Sequence, residues 1–139
     1  MLKNIPSILS PELMMVLMEM GHGDELVLAD GNYPVESAGI LSIRADGHNI
    51  PELLKAILKF FPLDQYVDSN VFFMDSGSDK NPQIWQCYER ILKASQEVYS
   101  IEKLERLQFY QRAGQAYAIV ATGEKSLYAN VILKKGIVY

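Results

Sequence analysis

The chain has only two histidines in 139 residues. The first, His22, stands between glycines in EMGHGDELVLADGNYP, residues 19–34. Glycine on both sides relaxes the steric limits on the backbone there, so the ring is expected to be presented and not packed. Imidazole exchanges a proton near neutral pH, which suits it to general acid or base work. The alternative is a helix C-cap with a solvent-facing histidine, and spacing alone leaves the two level.

Two carboxylates are the next candidates. Asp30 closes the apolar run ELVLAD and Asp75 closes NVFFMD, and the carboxyl ends of strands in open α/β sheets are where ligands bind. Each can accept hydrogen bonds from sugar hydroxyls or cap the turn after it, through Gly31 and Asn32 or Ser76 and Gly77. Taken singly, each suits the turn better. Tyr128 and Asn130, two apart on an expected strand, share one face and together can grip a polyhydroxylated ligand, although the pair also suits an ordinary strand edge. Arg106, Tyr110 and Arg112 gather near a short helix. Arg44 and Asp46 in IRADGH, residues 43–48, read as an exposed turn with a local ion pair, with His48 in the same loop.

Several chemistries have no support. No GxGxxG follows either strand and GxxxxGK[ST] is absent, so no nucleotide cofactor is expected. There is no GxSxG elbow, and Cys87 has no credible histidine partner. A single cysteine precludes an internal disulfide, and two distant histidines give no zinc-ligand spacing, so no metal is expected. What remains is a noncovalent acid/base site for a small polar substrate, working without a cofactor.

The elements that must position these groups alternate in period. Ser10, Pro11 and Glu12 open a helix carried by Leu13, Met14, Leu17 and Met18 and ended by Gly21. A buried strand is expected over 25–30, a helix over 51–61 stopped by Pro62, and a second buried strand over 70–75. A third helix is expected from cap Asn81 and Pro82, with Ile84, Tyr88, Ile91 and Ser95 on one face and Trp85 and Cys87 on or beside its buried side. A short helix over 107–113 and strands over 116–122 and 128–136 complete the chain. The last two strands are expected to form an antiparallel hairpin.

This pattern predicts one α/β domain over 1–139, a three-layer sandwich with a mainly parallel or mixed buried sheet flanked by helices. With 49% hydrophobic residues the chain can bury a substantial core. Its net charge is −4 and its 13 Lys and Arg residues are dispersed, so nucleic acid is not an expected partner. No apolar stretch reaches the ~20 residues that cross a bilayer, and the N-terminus lacks a cleavable-signal pattern, so a cytoplasmic protein without membrane association is expected.

Four blocks in order, SPELMMVLMEMGHGDELVLAD, IRADG, FYQRAGQAYAIVATGE and YANVILKKG, resemble the RbsD/FucU family of sugar mutarotases from end to end, and its fucose branch more closely. The resemblance implies an RbsD-like fold, cofactor-independent interconversion of the α and β anomers of L-fucose in fucose catabolism, His22 as the general acid, and sugar contacts from Asp30, Arg106, Tyr128, Ala129 and Asn130. Where this chain has Arg106, the D-ribose pyranase branch typically has a histidine, so arginine favours the fucose branch. A pyranase exchanging pyranose and furanose rings, and a noncatalytic sugar-binding module, are the alternatives.

One geometric difficulty accompanies this picture. A straight strand of six residues spans roughly 20 Å at about 3.3 Å per residue, so His22 and Asp30 cannot both stand at one end of ELVLAD. Either that segment curls or neighbouring subunits combine. The resemblance implies the second, because the family forms rings, typically homodecamers, with pockets at subunit contacts. Apolar Ile137, Val138 and Tyr139 at the end of the chain would suit such an interface.

Overall fold

Helix starts form where the sequence supplies an acceptor and a proline. A computed structural model describes residues 1–78 and 80–139. In it α1, Pro11–Glu19, begins at an extended Ser10 whose hydroxyl accepts the Leu13 N–H at 3.1 Å. Asn49 does the same for α2, Ile50–Ile57, accepting the Glu52 N–H at 2.9 Å ahead of Pro51. Both helices stop early. α1 ends before Gly21, and α2 breaks into turns ahead of Pro62, whose ring disfavours helical backbone in the residue before it.

α3, Gln83–Ala94, uses Pro82 as its cap residue, one position later than expected, and buries Trp85, Tyr88 and Leu92. Of the expected row Tyr88 is fully buried and Ile84 and Ile91 only partly so, while Trp85 lies on the buried side as expected. Two apolar stripes lie side by side on this helix, and contact with the sheet selects the one carrying tryptophan. α4, Arg106–Ala113, buries Phe109 and Ala113.

Six strands form one sheet: β1 Glu25–Ala29, β2 Ser42–Ala45, β3 Val71–Met74, β4 Ile101–Leu104, β5 Ala118–Thr122 and β6 Val131–Lys134. Their order is β2-β5-β1-β6-β3-β4. β6 runs antiparallel to both its neighbours, while the other pairings are parallel. Leu26 and Leu28 face the layer of α1, α2 and α3, whereas Val27 and Ala29 face Tyr33, Val35, Phe109 and Ala113. The result is the expected three-layer α/β sandwich with a mixed sheet.

Two expectations are corrected. β5 and β6 are not a hairpin, because β1 lies between them, Leu26 pairing with Ala118 on one side and Leu133 on the other. The connection over 123–130 must therefore cross the end of β1. IRADG is also more than a turn: Ser42–Ala45 is the edge strand β2, with Ile43 buried, and the exposed Arg44–Asp46 pair at 2.6 Å sits at its end. β4 was not anticipated, since its sequence IEKL exposes two charges on an edge.

Gly136 marks a tight approach between the chain after β6 and the loop at 62–64. Its N–H donates to the Pro62 carbonyl at 2.7 Å, and a Cβ there would meet the Leu63 carbonyl oxygen at 2.5 Å and the Asp64 Cα at 2.9 Å. Gly136→Ala is expected to destabilise the protein by about 1–3 kcal/mol through overpacking. Urea unfolding measures this, and an unchanged midpoint would show that the loop yields freely.

Candidate active site

The crossing of β1 by the 123–130 connection creates the chemically richest cavity. It has a volume of about 560 Å³ and is lined by Asp30, Asn32, Tyr33, Met74, Asp75, Ser76, Gly77, Glu105, Arg106, Tyr110, Ser126, Leu127, Tyr128 and Asn130. Asp30 follows the last residue of β1, as expected, and its backbone N–H donates to the Asn130 Oδ1 at 2.7 Å. Its carboxylate Oδ1 accepts the Asn32 N–H at 2.9 Å. Asp30 thus serves the turn and lines the cavity at once, so the two roles do not compete. Asp75 does likewise across the cavity, accepting the Gly77 N–H at 3.2 Å.

Tyr128 and Asn130 precede β6 and are not part of a strand. Tyr128 has φ of 61°, the left-handed conformation, so the expected alternation of strand faces does not apply. Two aromatic donors of α3 hold this segment: Trp85 Nε1 donates to the Tyr128 carbonyl at 2.8 Å and the Tyr88 hydroxyl to the Ala129 carbonyl at 2.6 Å. Ala129 is fully buried and does not line the cavity. Arg106, the first residue of α4, rests its guanidinium 5.5 Å from the Tyr110 ring centre. Tyr110 in turn lies 5.3 Å from the Tyr33 ring. Burial, then Tyr110 and Asp30, push the Tyr33 hydroxyl up to about 12, so it remains an O–H donor at neutral pH.

His22 is at the other end of the sheet. It precedes β1 by three residues, whereas Asp30 follows it, and the five residues between them as strand alone span roughly 17 Å. Gly23 has φ of +89° and its N–H donates to the Lys135 carbonyl at 2.8 Å, turning the chain into β1. The imidazole is 44% exposed, and its Nε2 lies 3.0 Å from the Oδ1 of buried Asp64. The Tyr66 ring stands 5.7 Å away, tilted by 60°. His22 is therefore presented, and it is also oriented.

Asp64 was not anticipated. It lies 42 residues from His22, and its only local signature is a turn in which its Oδ1 accepts the Tyr66 N–H at 3.0 Å. Burial pushes the Asp64 carboxyl upward, but the Tyr66 N–H, the His22 imidazole and the charge of Lys134 outweigh burial and hold it below the ordinary carboxylate range. An ionised carboxylate only accepts, so the Nε2 of His22 carries the proton of that bond. Nδ1 is then the atom left for a substrate.

A second hollow, about 680 Å³, lies beside the same end of the sheet and is lined by Gly23, Asp24, Glu25, Gln108, Gln111, Arg112, Gln115, Tyr117 and Lys134. Three of its charges are committed to one another: Arg112 grips Glu25 at 2.8 and 2.6 Å and Lys134 adds a contact at 3.2 Å. Arg112 is thus placed away from the Asp30 cavity, unlike Arg106 and Tyr110. His48 sits in an exposed loop, and Cys87 is half-buried on α3. Among the described residues no group of three His, Cys, Asp or Glu side chains could hold a metal ion, and no helix is long and apolar enough to cross a membrane.

With this geometry in view, residues 3–138 match the model of the RbsD / FucU transport protein family. The fucose mutarotase of Mus musculus is 52% identical over 143 residues, covering 97% of this chain and 94% of that protein. The fucose mutarotase of Streptococcus pneumoniae, solved in complex with L-fucose, superposes with a TM-score of 0.95 at 54% identity, over 99% of this chain and all of that one. Bacillus subtilis RbsD in complex with D-ribose, at 24% identity and a TM-score of 0.80 over both full chains, shares the fold.

The depressed Asp64 sets a pH dependence whose sign is fixed. A carboxyl held lower in the folded than in the unfolded state stabilises the fold above the unfolded value near ~4, and that contribution is lost as pH falls through the folded value. Wild type should therefore melt above Asp64→Asn at pH 7, with the gap closing as pH falls below the unfolded value near ~4. A gap independent of pH in thermal unfolding would show that the ionised form contributes nothing.

Proposed function

This chain belongs to the RbsD/FucU family, and from that membership we propose that it is a fucose mutarotase, interconverting the α and β anomers of L-fucose without a cofactor. The observation that carries this reading is the Asp30 cavity, where three carboxylates, a guanidinium, two amides and three tyrosines gather beside Met74 and Leu127. Such a mixture suits a small polyhydroxylated ring that bears a methyl group. The chain's likeness to fucose mutarotases over nearly its whole length supports the same assignment.

The reaction needs little machinery. A proton reaches the ring oxygen as the bond from that oxygen to the anomeric carbon breaks, and the anomeric hydroxyl gives up its proton to leave an open-chain aldehyde. Rotation about the adjoining carbon–carbon bond and reversal of the same steps yield the other anomer. Protonated His22 is the acid for the ring oxygen, through Nδ1, while Asp64 keeps the ring aimed. Asp30, Arg106, Tyr128 and Asn130 hold the sugar, and the buried Ala129, tied to Tyr88, fixes the backbone between the last two. Asp30 and Tyr128 are the candidates for accepting the anomeric proton.

His22 and the cavity lie at opposite ends of one chain, so a complete site takes His22 from a second copy. Contact of one end with the other is head to tail, and such contacts close into a ring when the rotation between copies closes. Exposed Tyr66, Val67, Val138 and Tyr139 surround or adjoin the histidine end and suit burial in such a contact. A homodecameric ring in the cytoplasm, supplying one fucose anomer to a consuming enzyme, completes the reading. D-ribose is the second candidate substrate because ring opening is common to both exchanges, and only the shape of the cavity separates them.

Saturation-transfer NMR on L-fucose and D-ribose tests the assignment, with faster exchange expected for fucose. His22→Ala should lower that exchange by about 10²–10⁴-fold, the usual contribution of a positioned acid, while leaving fucose bound. Faster exchange of ribose would move the assignment to a pyranase, and binding without exchange to a sugar-binding module. Coexpressing His22→Ala with Asp30→Asn should restore activity to about a quarter of the interfaces in a randomly mixed head-to-tail ring. No recovery would mean that both groups act within one chain.

A further inference from the structure

Glu124 is a buried carboxylate, 7% exposed, that ring opening does not use. It stands where three pieces of the site meet. Its Oε1 accepts the N–H of Ile50, the first residue of α2, at 3.1 Å. Its Oε2 accepts the N–H groups of Lys125 and Ser126, both at 3.0 Å. Its own carbonyl accepts the N–H of Gly31, next to Asp30, at 2.9 Å, and its N–H donates to the Thr122 hydroxyl at 3.1 Å. That hydroxyl donates to the Ala29 carbonyl at 2.7 Å.

The segment that follows carries Leu127, Tyr128 and Asn130 into the cavity. Its far end is fixed by Trp85 and Tyr88 of α3. Its near end is fixed by the Glu124 side chain, which anchors the turn at 125–126 to the start of α2. All three hydrogen bonds given to the carboxylate come from backbone N–H groups, so an acceptor-only side chain fits and an amide does not. A negative group at the start of α2 is favoured by the helix dipole as well.

We propose that Glu124 is a positioning residue for sugar binding: its carboxylate clamp sets where Tyr128 and Asn130 stand opposite Asp30, and its loss weakens hold on the sugar without impairing proton transfer by His22. This rests on the mutarotase reading of the cavity.

Glu124→Gln tests it, because the amide turns an N–H toward one of the backbone donors at nearly unchanged volume. Loss of a buried hydrogen bond of this kind corresponds to about a tenfold change in affinity. The expected result is an L-fucose KM raised about tenfold, with any fall in kcat for anomer exchange smaller than that rise because His22 is untouched. Trp85 is the one tryptophan of the chain, so its indole N–H resonance, recorded without sugar, reports directly on the Tyr128 carbonyl and should shift in the variant. Glu124→Asp, a methylene shorter, keeps the turn amides within reach but not Ile50, and should give a smaller shift and an intermediate KM; it also serves if the glutamine variant folds poorly. An unmoved indole resonance, or a fall in kcat with KM unchanged, would overturn the proposal. Wild type that fails to exchange L-fucose would instead overturn the mutarotase reading, and the indole measurement would still test the clamp.

Discussion

The position of β1 between β5 and β6 is the constraint on which the rest of the site depends. Two strands that are close in sequence are forced apart by a third from the start of the chain, and their connection cannot be a tight turn. It has to pass over the carboxyl end of β1, which brings residues 126–130 to Asp30. The Asp30–Asn130 hydrogen bond is the direct product of that crossing. Without it, a carboxylate at a strand end and a left-handed tyrosine would be two unrelated surface features.

The same strand separates His22 from the cavity. β1 is buried along almost its whole length and paired on both sides, so it cannot curl to bring its ends together. His22 and Asp30 are rigidly held apart, and the histidine end is finished by its own local structure. Gly136 lets the chain after β6 approach the 62–64 loop, that loop delivers Asp64, and Asp64 fixes the imidazole. Under the proposed reading, a site divided in this way makes catalysis conditional on assembly.

Electrostatics follow from the same packing. Buried carboxylates are costly unless donors surround them, and Asp64 and Glu124 each lie among N–H groups. In one case the donors keep a carboxylate that orients a ring, and in the other they tie a turn to a helix. Glu25 shows a third solution, saturated by Arg112 and Lys134, which leaves it no capacity for chemistry.

Much of this was legible in the sequence. Ser10, Asn49, Pro11 and Pro51 announce two helix starts through purely local hydrogen bonding, and the apolar runs of β1 and β3 announce buried strands because nothing polar could stand there. His22 between glycines and Asp30 at a strand end stood out as the titratable groups at the two ends of β1, and the ordered blocks from SPELMM to YANVIL marked the family. The edge strands β2 and β4 were obscured, since a strand exposed on one side carries charges that look like a turn. The links from Asp64 to His22 and from Glu124 to Ile50 were invisible, because they span 42 and 74 residues. The sequence by itself determined what obeys short-range rules: element identity, the groups able to move protons, and the fold class. Only the tertiary structure decided strand order, and with it which of those groups share a cavity and which face away, because strand pairing is chosen by the packing of the whole sheet and not by neighbours along the chain.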